Sequence, residues 1–107
     1  MKKIMFLALL ASPLSSFAGE LALDSTVLKV RNTSNNSDTF EVVLDKNVKN
    51  CFGNVIAFPS SAAPNKETHA RAYASALTAL TTGLKVRIYA YADADECKKA
   101  SYIELTK

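Results

Sequence analysis

The clearest pattern of apolar and polar positions in the chain is helical and runs from residue 66 to residue 82. The apolar residues predicted to face the core from this segment are Ala70, Tyr73, Ala74, Leu77 and Leu80. Asn65 precedes the segment as a favourable N-cap, and Gly83 follows it as the residue type that often ends a helix. The pattern predicts one amphipathic helix with Leu77 on its buried side.

Shorter alternating patterns predict strands before and after this helix. Their ranges are 25–32, 39–45, 51–58, 84–92 and 101–107. In the first strand, alternation places Leu28 and Val30 together on one face. In the second strand it places Phe40, Val42 and Leu44 on the core face.

The predicted order of elements is β-β-β-α-β-β, which describes a mainly β fold with one α-helix. Five strands with a helix between the third and the fourth are the arrangement of a small oligonucleotide/oligosaccharide-binding (OB) barrel. We therefore predict a five-stranded OB-like barrel. The alternative that stays open is a small open sheet packed on one helix.

The strand LKVRIYAYA, residues 84–92, carries the candidate binding residues. Alternation points Val86 inward with the other small apolar residues, and it points Arg87, Tyr89 and Tyr91 outward. Such a surface can stack on a sugar ring or pair with an acidic sugar. The alternative is that these side chains cover a sheet face or an oligomer contact.

The first eighteen residues, MKKIMFLALLASPLSSFA, predict the compartment. Two lysines, a short apolar run and small residues before a cut after about Ala18 are typical of a bacterial signal peptide. We therefore predict a signal peptide over 1–18 and a single OB-like domain over 19–107, secreted or periplasmic. No later segment reaches the roughly 20 apolar residues of a membrane-spanning helix, so we expect no membrane span.

The charge of the mature chain argues against nucleic acid as a partner. Removing Lys2 and Lys3 from the 13 basic side chains leaves 11, against 10 acidic ones. A protein that binds through phosphate contacts needs an excess of lysine and arginine on one face. We expect no nucleic-acid partner.

Cys51 and Cys97 are the two cysteines of the chain, and in an oxidising compartment they are expected to form a disulfide. No CxxC pair is present and His69 is the single histidine, so we expect neither a metal site nor a cofactor.

The sequence contains few candidate catalytic residues, and we expect the protein not to be an enzyme. His69 falls near the start of the predicted helix, where a surface histidine is commoner than a general base. The acidic residues at 93–96 lack the remainder of a twelve-residue calcium loop. An enzymatic alternative would rest on Glu41 and Glu104 as a glycosidase-like pair of carboxylates.

The segment HARAYASALTALTTGLKVRIYA, within residues 66–92, resembles the B subunits of pentameric A-B toxins. The nearest likeness is to the subtilase-cytotoxin and pertussis-like branch, whose B subunits have a similar long helix followed by a glycine and a strand of the VRI type. Elsewhere in the chain the likeness is one of element order only. The family's sugar-contacting residues match no position of this chain residue by residue.

This resemblance implies an OB barrel, a ring of five copies with helices lining a central pore, a separate A chain, and binding to cell-surface glycans. We therefore expect a secreted, non-enzymatic, glycan-binding module that resembles a toxin B subunit. The alternative is a stand-alone periplasmic or secreted protein of structural or accessory type.

Overall fold

Residues 19–32, 38–90 and 97–107 are the part of the chain that the computed structural model describes, and their regular structure consists of five strands and one α-helix. The elements are β1 (Glu20–Asn32), β2 (Thr39–Leu44), β3 (Val55–Pro59), α1 (Lys66–Thr82), β4 (Lys85–Tyr89) and β5 (Tyr102–Thr106). A short 3-10 turn precedes β3 and another follows it. The predicted mainly β fold and its order β-β-β-α-β-β are confirmed.

All five strands form one antiparallel sheet in the order β3-β2-β1-β4-β5. The central strand β1 has 13 residues and divides them between two neighbours. Residues 20–26 pair with β4, and residues 27–32 pair with β2. The strand therefore begins five residues earlier than predicted, and the extra length is what reaches β4.

The two edges of the sheet are joined without a ladder between β3 and β5. The Ala57 amide donates to the Cys97 carbonyl at 2.8 Å, and the Ala100 amide donates to the Ala57 carbonyl at 3.0 Å. These bonds link β3 to the segment that precedes β5. Because pairing does not continue into β5, the sheet is not closed and the barrel is not confirmed.

The core lies between the sheet and the helix and is filled mainly from the strands. The large, fully buried apolar side chains are Leu21, Phe40, Val42, Leu44, Ile56, Phe58, Val86 and Ile88. Phe40 and Phe58 are opposite each other on β2 and β3, and their rings stack with centroids 4.7 Å apart. The inward faces predicted for the second and fourth strands are confirmed at every described position.

The predicted inward position of Leu28 is wrong, because its side chain is 54% exposed. Val27 pairs with Leu44 and Lys29 pairs with Val43, so two steps on β1 match one step on β2. Leu28 is the additional residue of this bulge, and a bulge reverses the alternation of the strand. Val27 is buried in its place, while Val30 is partly buried against the core.

The helix has the predicted bounds and caps. The Asn65 side chain accepts a hydrogen bond from the Thr68 amide at 2.8 Å. Gly83 adopts the left-handed conformation with φ 78°, and its amide donates to the Ala79 carbonyl. Both ends are satisfied by residues that directly flank the helix, which explains why local sequence predicts them.

The predicted orientation of the helix is wrong at four of its five positions, and only Tyr73 packs against the core, with its ring against Phe40. The buried residues of α1 are Ala72, Ala76 and Ala79, whereas Leu77 and Leu80 are 38% and 40% exposed. The helix packs on β1 and β5, and the side chains of the sheet already fill the core. A face of alanines lets the helix lie close to that filled surface, and leucines on the same face would require additional volume.

Enlarging a side chain on this buried face should destabilise the protein. Ala76→Leu is expected to lower the free energy of unfolding by about 1–3 kcal/mol, because Ala76 is fully buried. Ala74→Leu, on the exposed side of the same helix, should change it by less than about 0.5 kcal/mol. Urea unfolding measures both, and equal losses would contradict the observed orientation of α1.

The expected disulfide between Cys51 and Cys97 is confirmed. It joins the turn before β3 to the segment before β5, next to the two backbone hydrogen bonds of Ala57. Disulfides persist in oxidising compartments, so the bond is consistent with an extracellular protein.

No helix in the described parts of the chain is long and apolar enough to cross a membrane. The predicted signal peptide over 1–18 lies outside the described residues.

Removing the bridge should cost a large part of the stability of so small a protein. Replacing Cys51 and Cys97 together by alanine is expected to lower the free energy of unfolding by about 2–5 kcal/mol. The cause is the restored freedom of the unfolded loop, since the cysteines are 46 positions apart. Urea unfolding in oxidising buffer measures the loss, and wild-type protein reduced with dithiothreitol should show the same midpoint as the double variant. A double variant as stable as the oxidised wild type would contradict the expectation.

Candidate functional site

The outward side chains of β4 lie beside those of β1 and β5 and form one continuous surface. We call this surface the tyrosine face, and its residues are Glu20, Arg87, Tyr89, Tyr102 and Glu104. Strand register brings them together, since Tyr89 is opposite both Glu20 and Tyr102, and Arg87 is opposite Glu104. The two predicted residues Arg87 and Tyr89 are therefore neighbours on it.

Arg87 is held in place by three contacts. Its Nε donates to Glu20 Oε2 at 2.9 Å, and its Nη1 lies 3.7 Å from Glu104 Oε1. Its guanidinium carbon lies 4.8 Å from the centre of the Tyr89 ring, within the range of a cation–π contact. The hydrogen bond to Glu20 raises the pKa of Arg87 above its usual value. Arg87 is thus a permanently charged and internally paired cation.

This pairing changes what the surface can bind. Two carboxylates, Glu20 and Glu104, surround one guanidinium, so an anionic ligand would have to compete with both for Arg87. The expected pairing of Arg87 with an acidic sugar is therefore disfavoured by the geometry. Hydroxyl groups, by contrast, can both donate to the carboxylates and accept from the guanidinium.

The aromatic part of the surface is a pair of tyrosines. The rings of Tyr89 and Tyr102 meet edge to face, with centroids 5.2 Å apart and planes at 77°. Arg87 lies over the Tyr89 ring, and Tyr102 is the more exposed of the two at 37%. Tyr102 therefore offers the larger accessible aromatic surface, next to polar groups whose positions are fixed by ion pairs.

Sequence reasoning identified only part of this surface. Tyr91, the third predicted ligand-binding residue, lies outside the described residues. Glu20 was missed because the first strand was predicted to begin at residue 25. The alternation of the last strand does place Tyr102 and Glu104 on one face, but only the β4–β5 register shows that this face meets Arg87.

The two carboxylates considered for an enzymatic alternative are not adjacent. Glu41 is on β2 and Glu104 on β5, with β1 and β4 between them, a separation of about 14 Å along the sheet. Glycosidase pairs are roughly 5–9.5 Å apart. Glu41 is also paired with Arg31 at 3.1 Å, its cross-strand neighbour. The geometry gives these residues no shared site.

His69 has a structural contact in the described part of the chain. Its Nε2 lies 2.8 Å from the Phe58 carbonyl oxygen, which can only accept, so Nε2 carries the proton. The half-buried imidazole packs against Phe40 and borders a cleft of about 220 Å³. This contact connects the first turns of α1 to β3.

Across the described residues, no group of three or more acidic, histidine or cysteine side chains is placed to hold a metal ion.

Comparison with known proteins places the chain in a family. None of the curated proteins and none of the solved structures shows significant similarity to it. The sequence model of DUF5992, described as a family of unknown function, matches residues 1–107. The chain therefore belongs to the DUF5992 family.

Proposed function

We propose that this protein is a secreted, non-enzymatic binding module that recognises a glycan on the tyrosine face. The observation that carries the proposal is the exposed Tyr102 ring, which packs on Tyr89, and the arginine over the Tyr89 ring, which two carboxylates hold in place. The geometry of the tyrosine face supports binding at a surface rather than chemistry in a cleft.

The physical requirements of a sugar match this arrangement. A pyranose ring has an apolar face of C–H groups and a rim of hydroxyls, so it needs both an aromatic surface and fixed hydrogen-bonding groups. Tyr102 supplies the first, and Glu20, Arg87 and Glu104 supply the second. Because all of them lie on paired strands, little ordering entropy is lost when a ligand binds.

The charge balance of the surface selects among sugars. A ligand carboxylate placed near Arg87 would also approach Glu20 and Glu104, and like charges repel. We therefore propose a neutral saccharide as the ligand of the tyrosine face. The predicted signal peptide and the disulfide support a location outside the cytoplasm, either secreted or periplasmic.

A stand-alone structural or accessory protein is the second candidate. The internal pairing of Arg87 favours this role. A sheet surface that binds no ligand is expected to pair its charged side chains with one another, as Arg87 does with Glu20 and Glu104. The two candidates differ in whether glycan binding is measurable and depends on Tyr102.

A glycan array followed by calorimetric titration tests the proposal. The exported, oxidised protein is expected to bind neutral saccharides, and Tyr102→Ala should weaken the affinity by about tenfold or more, equivalent to roughly 1.4 kcal/mol. This substitution removes the aromatic surface on which the sugar stacks. The fold should be kept, because Tyr102 is exposed.

Phe52→Ala is the matched control for this experiment. Phe52 is an exposed aromatic residue that borders a separate groove with Arg31 and Glu41, so its loss should leave saccharide affinity unchanged. Absence of binding to any saccharide, or equal losses in the two variants, would contradict the proposal and favour the accessory role.

We also propose that the module assembles with itself, as the toxin resemblance implies, into a ring of five with a separate A chain. The exposed side of α1 supports a contact between copies. It presents Leu77 and Leu80 to solvent together with the exposed alanines Ala70 and Ala74. Apolar helix surface of this kind is stabilised when another surface covers it.

Light scattering on a sizing column measures the assembly. The wild-type protein is expected near five times the subunit mass, and Leu77→Glu should reduce it to the monomer by placing a charge in the contact. Leu28→Glu, at an exposed leucine on β1, is the control and should keep the assembled mass. A monomeric wild type would contradict the ring, while equal dissociation by both variants would contradict the assigned helix face.

A further inference from the structure

A second surface, between α1 and β5, forms a groove of about 330 Å³. We call it the helix groove. Thr68, Arg71 and Ser75 line it from the helix, Tyr102 and Ile103 line it from the start of β5, and Ser101 lines it from the position before β5. It shares only Tyr102 with the tyrosine face, so it is a distinct site with its own chemistry.

Ser101 carries an unusual polar group in this groove. The residue is 4% exposed, and its hydroxyl oxygen is the one buried side-chain polar atom of the described residues that has no hydrogen-bond partner. A buried hydroxyl without a partner is unfavourable, and such groups are rare in folded proteins. The wall of the groove therefore contains a buried hydrogen-bonding group that has no partner within the described fold.

The backbone around Ser101 is anchored on both sides. The Ser101 amide donates to the Tyr89 carbonyl at 3.1 Å, and the preceding Ala100 amide donates to the Ala57 carbonyl. The unpaired hydroxyl is thus not the result of a loosely held segment. Rotation about the Cα–Cβ bond is the remaining freedom, and it can turn the buried hydroxyl towards the groove while the backbone stays in place.

Arg71 supplies a positive charge to the same groove. Its Nη2 lies 3.3 Å from Thr68 Oγ1, which orients the guanidinium. Glu67 is one helical turn away but does not pair with it, and no carboxylate in the described parts of the chain does. None of the described residues that line the groove is acidic. Arg71 therefore differs from Arg87, whose charge is already neutralised by neighbouring carboxylates.

We infer that the helix groove binds an oxyanion of the carboxylate or sulfate class. The ligand accepts hydrogen bonds from the Arg71 guanidinium and from the Ser101 hydroxyl, and Thr68 and Ser75 add further hydroxyls. An arginine without a carboxylate and a buried hydroxyl without a partner are each complementary to a negatively charged oxygen, and both line the same groove. The inference does not depend on glycan binding at the tyrosine face.

Nuclear magnetic resonance of the oxidised, nitrogen-15-labelled protein tests it directly. Sodium sulfate and sodium acetate are titrated separately, with sodium chloride at equal ionic strength as the reference. The Ser101 amide and the Arg71 side-chain Nε–H signals should shift and saturate with at least one of the two oxyanions and not with chloride. The better of the two identifies the class. Shifts that fail to saturate, or that chloride reproduces, would overturn the inference.

Variants separate the two ligand contacts. Arg71→Gln should abolish the saturable shift of Ser101, and Ser101→Ala should weaken the affinity by about tenfold, as expected for a hydrogen bond to a charged group. Arg31→Gln is the matched control, because Arg31 is exposed and paired with Glu41 outside the groove. Equal weakening by Arg31→Gln would overturn the inference.

Thermal unfolding without oxyanions distinguishes a ligand site from a structural role of the hydroxyl. Ser101→Ala should unfold at the same temperature as the wild type or higher, because no protein partner is lost. The saturating oxyanion should then raise the midpoint of the wild type and not that of Ser101→Ala. A lower midpoint of Ser101→Ala in the absence of oxyanions would show that the hydroxyl is already satisfied within the fold, and would overturn the inference.

Discussion

The division of β1 between two ladders is the constraint on which the rest of the structure depends. Its first half pairs with β4 and its second half with β2, and bulges where the two halves meet bend the strand. Asp24 takes a positive φ of 50° there, and the pairing is irregular on both sides. Ser25, fully buried at this point, donates from its hydroxyl to the Lys46 carbonyl. Hydrogen bonds therefore hold the bend against the connection that follows β2. Here β1 bonds to the backbone of residues 45–49 instead of to a neighbouring strand.

The bend places both surfaces described above. Because β1 brings β4 and β5 to one side of β2 and β3, the outward residues of three strands form the tyrosine face, and α1 packs across β1 and β5. The segment before β5 returns to β3, where hydrogen bonds from Ala57 and the disulfide hold it. That attachment fixes Ser101 directly before β5. The segment that joins the two edges of the sheet therefore also forms one wall of the helix groove.

The two arginines near Tyr102 show why neighbouring surfaces can have different ligands. Arg87 is surrounded by carboxylates from β1 and β5, which neutralise it and leave a rim suited to hydroxyl groups. Arg71 projects from a helix on which Glu67, one turn away, does not pair with it, so its charge is left for a ligand. Residue type alone does not distinguish these arginines. Their difference comes from the strands and the helix that tertiary packing places beside them.

The sequence by itself determined those features that depend on neighbours a few residues away. The helix bounds follow from Asn65 and Gly83, whose capping bonds span three or four residues. The inward faces of β2 and β4 follow from alternation, and the disulfide follows from the number of cysteines in a chain predicted to be exported. The same local reasoning placed Arg87 and Tyr89 on one outward face. None of these predictions requires knowledge of the rest of the fold.

Only the tertiary structure decided the features that depend on distant segments. The buried side of α1 is the alanine side because side chains of the strands already fill the core beneath it, and the periodicity of the helix does not encode that volume. Leu28 is exposed because β2 imposes a bulge on β1. Arg87 is neutralised by Glu20, which is 67 positions away, and Ser101 loses its polar partners only when β5 and α1 come together. Local sequence encodes propensity and alternation, whereas volume, register and charge pairing arise between segments that meet only in the folded chain.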